Sequence, residues 1–272
     1  PEHRDMIKRQ IDWQSGVGTE YTAEQLFSDL DPIADMPSKA ERVTREVNKR
    51  LEKVSRHGHI TTDGVHVFYD NETFSRIGID PTLEDHLVRL MTSDDAEDKR
   101  AFECFAAFTE NLYTNVDERI RNQLVSWMAA QQWLTFTEDG CFIGYKGCKL
   151  DGDGETPLSI HSGYGIVDGE VMNGYLPNRD GSVIEMPRNM VHKDPATGCS
   201  IGLHVGTYGY ARGFADGVIL KVKVNPQDVV SVPFDCSAQK IRCCRYEVLE
   251  HETCSGWYDS DADDGDRYPT WY

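Results

Sequence analysis

Apolar residues recur at helical spacing in several stretches of this chain and at strand spacing in others. Val43, Val47, Leu51 and Val54 form one stripe, and Ser38 with Glu41 three residues on gives the capping-box pattern of a helix start. ITTDGVHVFYD follows, where Asp63-Gly64 predicts a two-residue hairpin turn between extended runs. DPTLEDHLVRLMTSDDAEDKRAFECFAAFTENLY predicts helices broken near Ser93 to Asp98, with enough Leu, Phe and Ala to pack a small helical core. A further helix carries Ile120, Leu124, Trp127 and Met128 on its apolar side and leads into FTEDGCFIGYK, with Asp139-Gly140 at the turn.

Aligning ITTDGVHVFY with FTEDGCFIGY matches Ile60 to Phe136, Val65 to Cys141, Val67 to Ile143 and Tyr69 to Tyr145. A two-residue turn in each would put all of these on one hairpin face. A repeated helix-plus-hairpin unit and the chance recurrence of two common patterns both account for the match. From about residue 141 the character changes to strands: VILKVKV, DVVSVPF and KIRCCRYEVL are β-branched or alternating, separated by turn signals at Asn225-Pro226 and Asp235 to Gln239. Gly152 to Asn178 is glycine-rich and reads as loop. The pattern predicts an α+β protein with a helical and β-hairpin N-terminal half and a mostly antiparallel β C-terminal domain. Its boundaries fall at an N-terminal arm 1–37, a helical region with one β-hairpin 38–134, a β-rich domain 135–250, and an acidic tail 251–272 that ends in aromatics.

Charge narrows the partners. The 272 residues include 28 basic and 46 acidic side chains, a formal net charge of −18, and no block of Lys or Arg that could neutralise successive phosphates. Bulk nucleic-acid binding is excluded on that ground, and contact with an anionic leaflet is unfavourable, so membrane association is expected to be indirect. No apolar run reaches the ~20 residues of a membrane span. The opening PEHRDMIKRQ lacks the apolar segment of a signal peptide, which leads to the expectation of a cytoplasmic protein. Eight cysteines, with Cys243 and Cys244 adjacent, read as mostly buried thiols in a reducing compartment.

The densest candidate chemistry is CSIGLHVGTYGYARGF, where Cys199, Ser200 and His204 stand close together among glycines and tyrosines. Zinc sites use paired ligands two to four apart; there is no C-x-x-C, and Cys199 and His204, with His192 or Asp194 nearby, lack a second close pair. His57, His59 and His66 are a weaker metal candidate, explained as well by polar residues on the wet side of a hairpin, and no metal or cofactor is favoured. Cys199 or Ser200 with His204 as base and backbone amides near Gly202 has the parts of a nucleophilic site, though the spacing permits the contact without requiring it. Phosphate-binding G-x-x-x-x-G-K-[ST] and G-x-G-x-x-G loops are absent. The structural alternative makes Gly198 and Gly202 a turn, sends Leu203 and Val205 into the core from a short strand, and begins a helix within Gly206 to Phe214. His204 then faces the other way, towards a carbonyl or carboxylate. Lys240 and Arg242 share a strand face, and Arg242 has the parity of Cys244, Tyr246 and Val248, which suits a buried, paired guanidinium.

FTEDGCFIGYKG, MPRNMV, CSIGLHVGTYGYARGF, VNPQDVVSVPFD and KIRCCRYEV, in this order, resemble the phage rIIB-like proteins, the lysis-inhibition family. The resemblance runs from about Glu110-Asn111-Leu112 to Leu249, and the first hundred residues and the tail stand largely outside it. It implies a virus-encoded, non-enzymatic protein that works by association in the cytoplasm of the infected bacterium. It further implies a larger rIIA-type partner that holds the protein peripheral to the inner membrane, and an effect on lysis timing or on tolerance of host exclusion and defence. Carried over by motif, the positions of interest are Tyr145, Lys146, Arg188, Asn189, Cys199, Ser200, Gly202, His204, Asp228, Lys240 and Arg242. Two rival classes stand beside this reading. One is a nucleotide-binding or transferase- or hydrolase-like enzyme using Arg188, Cys199 and His204; the other is a self-assembling structural protein, a homo-oligomer with arm and tail at its subunit contacts.

Overall fold

The computed structural model describes residues 39–54, 60–62, 67–70, 76–93, 95–131, 135–235 and 239–254. The chain divides into two units, 1–49 and 50–272. In the first, the described residues are the start of helix α1 (Lys39–Val54), where the valine stripe predicts one. Ser38, the Asp63-Gly64 turn, His57, His59, His66, the arm 1–37 and tail residues 255–272 lie outside the described residues.

Three helices of the second unit each begin on an aspartate. Asp80 precedes α2 (Pro81–Thr92) and accepts from Thr82 N; Asp95 precedes α3 (Ala96–Tyr113) and accepts from Glu97 N and Asp98 N; Asp117 precedes α4 (Glu118–Ala130) and accepts from Arg119 N and Ile120 N. Each carboxylate meets amides that have no partner inside the helix, next to the positive end of its dipole. The break between α2 and α3 falls where the sequence pattern puts it. Phe105, Phe108, Trp127, Phe136 and Phe142 join the helices to the β region, with Phe136 4.6 Å from Phe108 and Trp127 6.1 Å from Phe142 between ring centroids. Ile120, Leu124, Trp127 and Met128 are all buried, as their spacing predicts.

Strands β1 (Ile60–Thr62), β2 (Val67–Asp70) and β3 (Arg76–Gly78) form a small antiparallel sheet in which Ile60 faces Tyr69 and Thr62 faces Val67. The register sets four residues between Thr62 and Val67 rather than a two-residue turn. In the second hairpin Phe136 bridges Phe142, with five residues between them, and Gly140 takes the turn at φ 73° against the Ala107 backbone. The loops differ by one residue, so the aligned partners part company: Phe136 joins Phe142 on one face, and Ile143 and Tyr145 lie on the other. The expectation that both hairpins share one apolar face therefore fails for the second.

From Phe142 onward ten strands make one sheet: β4 (Phe142–Leu150), β5 (Pro157–Leu158), β6 (Gly163–Val167), β7 (Glu170–Gly174), β8 (Val183–Glu185), β9 (Leu203–Gly206), β10 (Gly217–Val224), β11 (Val229–Ser231), β12 (Lys240–Cys243) and β13 (Arg245–Thr253). Their order is β11-β12-β9-β4-β10-β13-β8-β6-β7, with β5 on β4, and every strand pairing is antiparallel. The fold is thus α+β, with a mostly antiparallel β C-terminal half. Two details depart from the sequence pattern. The glycine-rich stretch predicted as loop holds the β6–β7 hairpin, turned by Asp168 (φ 50°) and Gly169 (φ 86°), the two positive angles of an Asp-Gly hairpin. KIRCCRYEVL is two strands, broken at Cys244, whose N–H donates to Asp228 O; β12 pairs with β9 and β11, β13 with β10 and β8.

β4 sits between β9 and β10, and each of its faces meets a helix. Phe142 points towards α3 and α4. The odd-numbered face meets α5 (Tyr208–Phe214), and a Cβ at Gly147 would strike the Ala211 carbonyl, so glycine permits this approach. Both β9 and β10 run antiparallel to β4, so they are parallel to each other and α5 is their crossover.

Candidate functional site

The motif singled out in the sequence folds as turn, strand and helix. Leu203 and Val205 are buried, Thr207 caps α5 through Tyr210 N, and Ala211 is fully buried. Gly202, at φ 152°, packs against the Arg242 side chain and Val191. His204 points to the α5 side of the sheet, together with the residues paired to its strand: Arg242 lies directly opposite it, and Lys240 opposite Gly206. Tyr145, opposite Gly206 on β4, shares that face and meets Tyr208 edge-on at 5.3 Å; Tyr208 donates to Glu252 Oε1 at 2.6 Å.

Arg242 is fully buried, and the fold uses its guanidinium internally. Nη1 donates to Thr197 O at 2.7 Å, while Nη2 donates to Asp194 O at 2.5 Å and Ser231 Oγ at 2.9 Å. The expected buried, paired guanidinium is present, with main-chain carbonyls of the 194–198 loop as its chief partners. Lys240, 1% exposed, donates to Asp235 Oδ2 at 2.7 Å and lies 5.7 Å from the Tyr210 ring centroid. Burial first, and then the charges of Lys146, Lys240 and Arg242, lower the His204 pKa to about 3, so the imidazole is neutral at ordinary pH. It makes no side-chain hydrogen bond among the described residues, contrary to the carbonyl or carboxylate partner that the sequence suggests.

Lys146 belongs to the other face. Adjacent to Tyr145 in a strand, it points away from His204, lies 5.8 Å from the Tyr246 ring centroid, and reaches the His204 main-chain carbonyl with Nζ at 3.2 Å. Tyr246 is buried and donates to Asn178 Oδ1 at 2.5 Å.

A second group forms where the α3–α4 turn meets the sheet. Arg188 Nη1 donates to Gln227 O at 2.6 Å, and Nη2 donates to Asn115 Oδ1 at 3.1 Å and Val229 O at 3.0 Å. Asn115, 1% exposed, in turn donates to Pro226 O and Val229 O at 3.0 and 2.9 Å. Asp228 lies beside them, its pKa raised by burial against the pull of Arg245 and Arg188, and accepts from Cys244 Sγ at 3.8 Å. Asn189 is exposed on the same short turn. Cys199 is exposed and Ser200 half-buried, and neither is hydrogen-bonded to His204 among the described residues.

The candidates therefore separate into an α5-face group (Tyr145, His204, Lys240, Arg242), Lys146 behind it, the Arg188–Asp228 clamp with Asn189 beside it, and the 199–202 turn. Sequence reasoning missed Asn115, Ser231 and Asp235, the partners that hold these side chains, and Asn178, which holds Tyr246 beside Lys146. Asn115, Asn178 and Ser231 are marked by pairings 73, 68 and 11 residues away and Asp235 by a lysine five residues on, and a lone Asn in a helix–helix turn reads as capping. No group of three or more His, Cys, Asp or Glu among the described residues could hold a metal ion, and no described helix is long and apolar enough to cross a membrane.

A helical layer docked on a ten-stranded antiparallel sheet, with Arg188 and Arg242 turned inward to main-chain carbonyls, defines an α+β protein. The family model described as Bacteriophage T4 protein rIIB matches residues 88–257, from within α2 to beyond β13, and the chain belongs to that family. Protein rIIB of Enterobacteria phage T4 is 32% identical over 219 residues, covering 79% of this chain and 61% of that protein. The chain thus spans less than two thirds of that relative's length. No solved structure matches it.

Proposed function

We propose that this rIIB-family chain acts by protein association in the cytoplasm of the infected bacterium, affecting lysis timing or tolerance of host exclusion and defence. Its partner is a larger rIIA-type protein, through which it is held peripheral to the inner membrane; self-association is the alternative arrangement. One observation in the fold supports association over catalysis: the candidate arginines and lysines are engaged within the chain itself, and the candidates do not converge on one space. Arg188 and Arg242 direct their donors to main-chain carbonyls, and the side chains of Lys146 and His204 leave opposite faces of the sheet. A catalytic or nucleotide site requires such groups to converge on a space that a substrate can enter.

The test is affinity capture of a tagged chain from infected cells, followed by mass spectrometry. An rIIA-type protein recovered in stoichiometric amount, with altered lysis timing when the chain is deleted, is the expected result. Capture of no protein partner, together with turnover of a nucleotide by the pure chain, would replace association with the enzymatic reading.

A further inference from the structure

Two borders of the large sheet are closed by the chain itself. At β11, Val229 O accepts from Asn115 Nδ2 at 2.9 Å and from Arg188 Nη2 at 3.0 Å. At β5, Pro157 O accepts from Asn178 N at 2.8 Å, and Ser159 N donates to Leu176 O at 2.9 Å. A third border, β7, is open: it ends the strand order and pairs with β6 alone.

The hairpin geometry decides which groups β7 leaves free. The two-residue turn at Asp168-Gly169 makes Val167 and Glu170 the closing pair, which exchange N–H and C=O, so Met172 and Gly174 also turn their main chain towards β6. Val171 and Asn173 direct theirs outward, where they meet no partner among the described residues. Both residues are exposed, Val171 by 62%. Natural proteins blunt such an edge with proline, lysine, a bulge or a covering segment. EVMNG has neither Pro nor Lys, keeps one register along its whole length, and is covered by no other strand.

The strand is also complementary to itself. Run antiparallel to a second copy about a two-fold axis at Met172, it sets Val171 opposite Asn173 of the second copy, and the outward groups of these residues exchange hydrogen bonds on both sides of the axis. Glu170, the only charge in the strand, then falls opposite Gly174 rather than another carboxylate. The Gly174 end carries a cation, because Lys149 Nζ lies 3.3 Å from the ring centroid of the next residue, Tyr175. Each acidic end therefore approaches the basic end of the other copy.

We propose that β7 pairs antiparallel with β7 of a second copy, joining the two sheets across a two-fold axis at Met172. The proposal deepens the self-association named above and gives it a surface; it does not depend on an rIIA-type partner.

The test is sedimentation equilibrium of the purified full-length chain up to concentrations on the order of 100 µM, where a small strand-to-strand interface is populated. A reversible dimer is expected. Asn173→Pro removes an outward N–H that the fold does not use, at the kind of edge position that tolerates proline. Val171→Lys sets a lysine diagonally across the axis from its own copy. Each should weaken the dimer at least about tenfold, with melting curves showing that the variants are folded. Lys149→Glu should weaken it too, and adding Glu170→Lys in the same chain should restore it. In oxidised glutathione, Met172→Cys should link to its own copy, as residues facing across the axis do, whereas Glu170→Cys should not. A chain that stays monomeric throughout overturns the proposal, as does a dimer left equally tight by Asn173→Pro and Val171→Lys, or one linked through Glu170→Cys in preference to Met172→Cys. Capture from infected cells separates the two readings. A monomeric chain that still captures an rIIA-type protein overturns the β7 pairing alone, and a dimeric chain that captures nothing supports the pairing while removing that partner.

Discussion

Arg242 lies directly across the β9–β12 ladder from His204, so a buried cation and a neutral imidazole share one sheet face. The cation binds a loop and the imidazole tolerates the cation, an arrangement that makes both residues measurable through stability.

Arg242→Met should destabilise the chain by roughly 2–4 kcal/mol, because the Thr197 and Asp194 carbonyls and Ser231 lose donors inside the protein. Arg242→Lys should recover little, since one ammonium cannot reproduce a planar fork with two branches. Urea unfolding of the three proteins checks this. A methionine variant as stable as wild type would mean that the loop is not anchored by the guanidinium.

His204 makes stability depend on pH with a definite sign. Its folded pKa is lowered to about 3, whereas an unfolded histidine titrates near ~6.5. Between these values the unfolded chain takes up a proton that the folded chain refuses, so the stability is fully present above about pH 6.5 and is lost as pH falls towards 3. The slope is at most ~1.4 kcal/mol per pH unit, or about 2 kcal/mol by pH 5. His204→Gln should lose that much less between pH 7 and pH 5 than wild type. Parallel stability curves for the two proteins would refute the assignment.

Much of the helical half was legible because its signals are local: a 3.6-residue apolar stripe and a break at Ser93 can be read within a few residues. The β half was legible in class but not in partnership. Alternation marks VILKVKV as a strand, yet nothing in it tells that β4 and β13 flank it. The β6–β7 hairpin was hidden because glycines at 163, 165, 169 and 174 outweigh its alternating residues, although Asp168-Gly169 carries the same signal that marks Asp139-Gly140. The second hairpin's faces were misassigned by a single residue of loop length, enough to invert a pattern of period two. Of the candidate site, His204, Lys240 and Arg242 were legible by strand parity. Their separation from Lys146 and Arg188 depends on which faces and edges the strands take.

The Arg188–Asn115 contact joins the α3–α4 turn to the 226–229 segment, and a double-mutant cycle isolates it. Arg188→Ala and Asn115→Ala should each cost roughly 1–3 kcal/mol, because each strands buried carbonyls. A coupling of roughly 0.5–2 kcal/mol is expected, as both side chains serve Val229 O and bond each other at 3.1 Å. Strict additivity in chemical unfolding would show that the two act separately.

The cysteines order themselves by exposure, which bears on the nucleophile reading of Cys199. Burial pushes the Cys141 and Cys148 thiols up to about 12 and about 11 and raises Cys243 as well, so these stay protonated as well as shielded. Cys199 is exposed on its turn, with no base bonded to it among the described residues. Brief treatment with iodoacetamide should therefore alkylate Cys199 well before Cys141, Cys148 or Cys243, at the rate of an ordinary surface thiol, as read by peptide mass spectrometry. Cys199→Ala should change stability by no more than ~0.5 kcal/mol, as surface substitutions do, and should leave partner capture unchanged. Alkylation of Cys199 far faster than a model thiol, and dependent on His204, would reveal an activated thiolate and return the catalytic reading to first place.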